Sequence, residues 1–294
     1  MRFARRNLAL DRFAYWLQTA PRPKRRRPYS PNSIRTYVHN ASLYLRWCEA
    51  NQLLPEQANG DDVLNYLAEL TGSRFAPKTI SLRHIAVELY YDYLQTRPNP
   101  ARQVPLTEGK ARNPAEPYSS NEVARLYAAC RDYQERAVFL LLLAAGPRRS
   151  EAYGVTRADV NFDAGTVWLH GKGSKDRLVH IEPIVANALQ QAFEFHDQLC
   201  PQKSAEYVYR LMVRLGKRAG IPGRHHPHRM RVTFAVQWCE FGGQESELQV
   251  LLGHSSPSMT QYYSRVGRER RALKTMSGMQ IASRLLNEAM AGVA

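Results

Sequence analysis

A stretch thick with prolines, from Pro98-Asn99-Pro100 through Pro105, Gly109, Lys110 and Pro114 to Pro117, cuts this 294-residue chain in two. Proline lacks an amide donor and biases the residue before it away from helical geometry, while the small and charged residues between the prolines have little to bury. The spacing predicts two domains, residues 1–104 and 118–294, joined by a linker over 105–117. Either half is long enough to bury a core without disulfide or metal staples.

Ahead of the linker the apolar residues recur at helical spacing. Leu10, Phe13 and Leu17 share a face of a helix over 6–19, and Ile34, Tyr37, Val38, Ala41, Leu45 and Cys48 share one on a helix that Ser30 caps and Pro31 opens, ending near Ala50. A third helix is predicted over 61–70 and a fourth over 77–94, with Leu82, Ile85, Ala86, Leu89 and Tyr93 on its buried side. This half reads as a small helical bundle. Between its first two helices Lys24, Arg25, Arg26 and Arg27 stand between Pro21, Pro23 and Pro28, so they are expected exposed and extended.

After the linker, Ser119 and Glu122 make a capping box, and the apolar run Ala137 to Ala145 follows as a buried helix, about half the length a membrane span needs. The period then changes. Thr166, Trp168 and His170 alternate with Val167 and Leu169, and Leu178-Val179-His180-Ile181 follows a Gly171-Lys172-Gly173-Ser174-Lys175-Asp176 turn, which predicts a β-hairpin. The remainder reads as helices, ending with an apolar stripe of Ile281, Leu285, Leu286 and Met290 over 279–290. The fold class is mainly α with a small β-hairpin or sheet.

With 41 Lys and Arg against 26 Asp and Glu the formal charge is +15, which favours a polyanionic partner whose binding weakens with salt. The four cysteines, Cys48, Cys130, Cys200 and Cys239, show no knuckle or disulfide spacing. His225, His226 and His228 lie together, but no cysteine or carboxylate stands at ligand spacing, so no metal is assigned. Asp11 and Arg12 interrupt any signal-peptide core after the basic start, so a cytoplasmic location is expected.

Four features carry chemistry. Arg148 precedes Glu151 by three residues, the spacing of one helical face, at the end of the buried helix. Lys172 sits between glycines in the hairpin turn, where its ammonium can reach a ligand as a proton donor. His228 and Arg231 are one turn apart ahead of an apolar helix, and Leu252-Gly253-His254 is followed nine residues after the histidine by Tyr263. A phenol, with a pKa near ~10, needs cations to favour its oxyanion before it can act as a nucleophile near neutrality. Arginine's rigid fork fits phosphate oxygens two at a time, which points to a phosphodiester. Each feature alone is also what an ordinary surface ion pair, turn or helix start looks like.

Taken in order, Arg148, Glu151, Lys172, His228, Arg231, His254 and Tyr263 resemble the active-site set of the tyrosine recombinases, or phage integrases. The resemblance spans the chain and is strongest to compact, Xer-like members. It implies an N-terminal core-binding, SAM-like bundle and a C-terminal catalytic domain whose last helix exchanges between subunits. The implied activity is site-specific cleavage and rejoining of DNA through a 3′-phosphotyrosine, with no cofactor, neither ATP nor metal. Arg148 and Arg231 would clamp the phosphate, Lys172 would protonate the leaving oxygen, and His228 would help take the tyrosine proton. His254 would donate to the phosphate, and Glu151 would orient the histidine side.

Double-stranded DNA with paired inverted half-sites, bound by a homo-tetramer that leaves room for accessory proteins, is the implied partner. Lys24, Arg25, Arg26, Arg27, Arg35, Lys78 and Arg83 are the candidate DNA contacts. Pro147, Arg149, Val232 and Arg265 depart from the family's usual residues without removing a catalytic group. Rival readings are a non-cleaving architectural protein on the same fold, and a topoisomerase or telomere resolvase using the same chemistry.

Overall fold

The computed structural model describes residues 2–19, 28–105, 116–171, 176–201, 204, 206–254 and 257–279, and divides into two compact units, Met1–Arg112 and Asn113–Ala294. The basic run Lys24 to Arg27, most of the expected linker, Lys172 with its turn, and the final stripe from Ile281 to Met290 lie outside the described residues.

The first unit is built from α1 (Arg2–Thr19), α2 (Pro31–Ala50), α3 (Gly60–Gly72) and α4 (Pro77–Tyr93). Ser30 caps α2 through Ser33 N, and Asn59 closes a capping box with Asp62 at the start of α3. The core is aromatic. Phe13 packs edge-on to Tyr90, and the buried hydroxyls of Tyr44 and Tyr91 share a 2.6 Å hydrogen bond. The α4 face differs from expectation, since Ile80, His84, Ala86, Val87, Tyr90 and Tyr91 are the buried residues, while Leu82, Ile85, Leu89 and Tyr93 are only half-buried. The helix packs on more than one side, and His84 is drawn inward because its Nε2 bonds Ala101 O at 2.7 Å.

The second unit opens with α5 (Ser120–Ala128) under the Ser119/Glu122 capping box, followed by the buried α6 (Tyr133–Ala145) and the short α7 (Arg149–Gly154). An antiparallel sheet follows in the order β1 (Val160–Asn161), β2 (Thr166–Leu169), β3 (Arg177–His180). The hairpin was expected, and β1 adds a short third strand. Val167 pairs with Val179 on the buried face, while the Trp168 and Leu178 pair faces outward. Helices α8 (Pro183–Phe193), α9 (Glu206–Arg218), α10 (Pro227–Glu240), α11 (Glu245–Leu252) and α12 (Ser258–Met279) follow among the described residues.

Helices α10, α11 and α12 enclose a small core of Val232, Val236, Leu248, Leu252 and Tyr263. A Cβ on Gly267 would stand 2.5 Å from Cys239 Cβ and 2.7 Å from Val236 O, so glycine lets α12 press against the α10 backbone. That close crossing seats the Tyr263 turn of α12 over Arg231 on α10. No helix among the described residues is long and apolar enough to cross a membrane.

Candidate active site

The C-terminal end of α11 organises the site. Gly253 stops the helix in the left-handed conformation at φ +59°, and the amides of Gly253 and His254 close back onto the carbonyls of Val250 and Gln249. The next three carbonyls fan outward, and each takes a different arginine. Leu251 O accepts Arg177 Nε at 2.5 Å, Leu252 O accepts Arg231 Nη2 at 2.5 Å, and Gly253 O accepts Arg148 Nη2 at 2.9 Å. The negative end of a helix dipole reinforces all three bonds.

Arg148 reaches this point because Gly146, at φ +53°, ends α6 and Pro147 leads straight into α7. A Cβ on Gly146 would strike Phe234 Cδ1 at 2.7 Å, so the turn tolerates only glycine. Arg148 caps α7, and Glu151, three residues on, accepts both its amide and its Nη1 at 2.7 Å. Arg231 on α10 is buried and gives Nη1 to Gly146 O at 2.7 Å. A guanidinium has five N–H donors. Arg148 and Arg231 each spend one Nη1–H and one Nη2–H on the protein, which leaves both cations donors for an incoming anion.

The family resemblance implies that Glu151 orients the histidine side of the site, whereas its hydrogen bonds run to arginines. Both Glu151 oxygens go to arginines, Oε1 to Arg148 and Oε2 to Arg177 Nη2 at 2.9 Å. The carboxylate therefore orients guanidiniums, and these bonds hold its pKa below the ordinary value against a burial that pushes it up. Arg177 was missed altogether. Its signal was present in the strand alternation, where it stands in phase with the buried Val179 and Ile181.

Burial and the neighbouring guanidiniums set the remaining protonation states. Burial, opposed in part by Glu151, pulls Arg231 down to about 10, which still leaves it cationic at neutral pH. Burial, then Arg231, Arg148 and Arg177, lower His254 to about 4, so its imidazole is neutral, with Nδ1 2.9 Å from the buried Thr260 Oγ1. His228 lies at the exposed rim. Partial desolvation, Arg231 and His226 lower its pKa, though solvent screens part of that effect.

Tyr263 is buried with its ring centroid 6.3 Å from that of His254. Burial raises its pKa and outweighs the opposing pull of Arg231, so the phenol is protonated and the expectation of a cation-favoured oxyanion does not hold for the free protein. Tyr262 packs edge-on against Tyr263 and beneath Arg265.

Arg148, Glu151, Arg231, His254 and Tyr263 are thus gathered, with His228 at the edge. Lys172 lies outside the described residues, although both flanking strands are in place. His225 takes no part, because its two nitrogens bond Tyr118 Oη and Ile221 O at 2.9 Å each. Among the described residues no group of three His, Cys, Asp or Glu is arranged to hold a metal. In the first unit Arg35 and Lys78 are exposed near the starts of α2 and α4, while Arg83 is half-buried over the Phe75 ring at 4.2 Å.

Comparison with known proteins agrees with this geometry. Residues 118–270 match the model of the phage integrase family, and residues 24–97 match that of the phage integrase N-terminal SAM-like domain. The tyrosine recombinase XerA of Thermococcus onnurineus is 30% identical over 257 residues, covering 81% of this chain and 86% of its own. The tyrosine recombinase XerC of Lactobacillus delbrueckii subsp. bulgaricus is 26% identical over 270 residues, covering 83% and 91%. A lambda integrase tetramer bound to a Holliday junction shares the fold with a TM-score of 0.71 at 14% identity, over 89% of this chain and 77% of that one.

Proposed function

Because the chain belongs to the phage integrase family of tyrosine recombinases, we propose that it cuts and rejoins DNA at specific sites with Tyr263 as the nucleophile. The observation that carries this reading is the carbonyl-anchored pair Arg148 and Arg231, with donors to spare, beside a buried tyrosine of the same chain.

Tyr263 Oη attacks the scissile phosphorus, the bond from phosphorus to the 5′-oxygen breaks, and a 3′-phosphotyrosine forms. Arg148 and Arg231 bind the non-bridging oxygens as charge develops on them. Since the phenol is protonated in the free protein, its proton must leave as the bond forms, and neutral His228 at the rim can accept it. In the tautomer whose Nδ1 accepts from Thr260 Oγ1, neutral His254 keeps an Nε2–H for the phosphate. Lys172 protonates the departing 5′-oxygen. Attack by a 5′-hydroxyl of another strand reverses these steps, so the phosphodiester energy is conserved and no ATP is needed. The guanidiniums supply the charge that a metal would otherwise provide.

Double-stranded DNA held by a homo-tetramer is the partner, by analogy with the lambda integrase assembly on a Holliday junction, and the work belongs in the cytoplasm. An apolar groove of about 700 Å³ on the second unit, lined by Val123, Leu140, Leu143, Phe234, Trp238 and Phe241, is assigned to the apolar tail of a neighbouring copy, Ile281, Leu285, Leu286 and Met290. Lys24, Arg25, Arg26, Arg27, Arg35 and Lys78 are proposed to contact phosphates, whereas Arg83 is partly committed to Phe75.

The test uses a nicked suicide duplex whose core is recovered by trapping covalent adducts from a randomised library. A denaturant-resistant adduct with wild-type protein and none with Tyr263→Phe is expected. A Tyr263→Phe adduct would sink the assignment, and no wild-type adduct would favour a non-cleaving binder. Joining strands from two duplexes separates a recombinase from a topoisomerase or telomere resolvase.

A further inference from the structure

Arg177 is the one member of the arginine fan that the mechanism above leaves without a task. It opens β3, five residues after Lys172 in the sequence, and its side chain is 7% exposed. One edge of its guanidinium is fully used, with Nε on Leu251 O and Nη2 on Glu151 Oε2. The other edge is not, since Nη1 is buried with no hydrogen-bond partner among the described residues. An apolar residue in phase with Val179 and Ile181 would close this part of the sheet with no charge to desolvate. Packing therefore does not account for a cation here.

Its connections do. Glu151 holds Arg148 through Oε1 and Arg177 through Oε2, so the carboxylate is a bridge between the two guanidiniums. Leu251 O adjoins the carbonyls that anchor Arg231 and Arg148. A Cβ on Gly253 would lie 3.5 Å from Arg177 Nη1 and 3.6 Å from Arg148 Nη1, so both side chains crowd the same turn. Arg177 thus grips at once the carboxylate that aims Arg148 and the helix end on which all three arginines rest.

We propose that Arg177 is a positioning residue for phosphoryl transfer, acting through Glu151 and the α11 carbonyls to hold Arg148 and Arg231 at the phosphate without touching it. This rests on the function proposed above. Its effect should scale with the negative charge the site must stabilise. A substrate whose scissile phosphate has one non-bridging oxygen replaced by methyl carries no such charge and asks less of an aimed guanidinium.

The experiment compares single-turnover cleavage of phosphodiester and methylphosphonate suicide duplexes by wild type, Arg177→Met and Arg177→Lys. Arg177→Met should bind the duplex within about 2-fold of wild type yet cleave the phosphodiester ~10–100-fold more slowly, while losing less than about 3-fold on the methylphosphonate. Arg177→Lys should fall between, because an ammonium neutralises Glu151 but cannot span the carboxylate and Leu251 O together. Equal losses on the two substrates, or no loss on the phosphodiester, overturn the proposal. Both rates come from one preparation, so their ratio is independent of the fraction folded, and Arg177→Lys decides if Arg177→Met yields no folded protein. Absence of a wild-type adduct on the phosphodiester is the separate failure of the function itself.

Discussion

Glu135 and Glu151 are near copies of one arrangement and end in different roles. Each is the third residue of its helix, is buried, accepts a backbone amide at the helix start, and bonds two arginines. Glu135 takes Arg218 Nη1 at 2.5 Å and Arg214 Nη2 at 3.4 Å, with those side chains 23% and 40% exposed. Its arginines turn to Ala129 O and to the face of the Tyr207 ring. The arginines of Glu151 continue onto the carbonyls of α11, beside His254 and Tyr263. A buried ion cluster is therefore a structural bolt by default. It becomes a site when its guanidiniums are gathered on one shared anchor, here the carbonyls at the end of α11, with donors to spare.

The largest expected effect tests that distinction directly. Arg231→Lys retains the charge but loses the fork that reaches Gly146 O and Leu252 O together, and should slow adduct formation by ~10²–10³-fold. Arg218→Ala should leave the rate per folded molecule unchanged. If single-turnover cleavage by Arg218→Ala falls as far, the two clusters are not different in kind.

Glu→Gln at each carboxylate sharpens the comparison. In Glu151→Gln the buried Arg177 loses its neutralising partner, a change worth ~3–5 kcal/mol where a buried pair is broken. Glu135→Gln should cost about 1 kcal/mol, because the partly exposed Arg214 and Arg218 are rescued by water. Urea denaturation reads both losses. Cleavage should fall ~10–100-fold only in Glu151→Gln, since only there does an arginine lose its aim.

How much of this the sequence held depends on what kind of spacing encodes it. Arg148 with Glu151, His228 with Arg231, and His254 with Tyr263 are local offsets on a helix or at a helix end, so they are readable in one dimension. The carbonyl fan is not, because it joins β3, α7 and α10 to the end of α11 across gaps that no local period records. Arg177 was legible only as a cation in the inward phase of a strand, a signal that the adjoining turn Gly171 to Asp176 drowned out. The α4 face was misjudged for a related reason, since His84 counts as polar in any pattern yet is buried by Ala101 O.

The histidines add a pH signature to one cluster alone. His254 falls to about 4 in the folded protein against about 6.5 unfolded. Above pH 6.5 both forms are neutral and the shift contributes nothing. As pH falls toward 4 the unfolded chain binds a proton that the folded site refuses, so stability is lost across that window. The melting temperature should drop between pH 7 and pH 5, less so in His254→Gln, while Glu135→Gln should leave the slope between those values as in wild type. A slope that persists undiminished in His254→Gln would place the titrating group elsewhere.

The smallest effect comes from two glycines. Gly220, at φ +61°, follows α9 beside Arg125, and Gly253, at φ +59°, ends α11 beside Arg177 and Arg148. An alanine at either position must hold a left-handed conformation, so each substitution should cost ~1 kcal/mol in urea denaturation. Near Gly220 the added methyl would stand 3.3 Å from Arg125 Nη2, a side chain that binds Ala219 O and Gly220 O and has no part in the site. At Gly253 it enters ordinary contact distance of two guanidiniums while the strained backbone turns the carbonyl that holds Arg148. Equal losses of stability should therefore accompany unequal chemistry, with cleavage slowed ~3–10-fold in Gly253→Ala and unchanged in Gly220→Ala. If Gly253→Ala loses stability but cleaves at the wild-type rate, the carbonyl fan is a scaffold that tolerates displacement, and the aim of Arg148 is set by Glu151 alone.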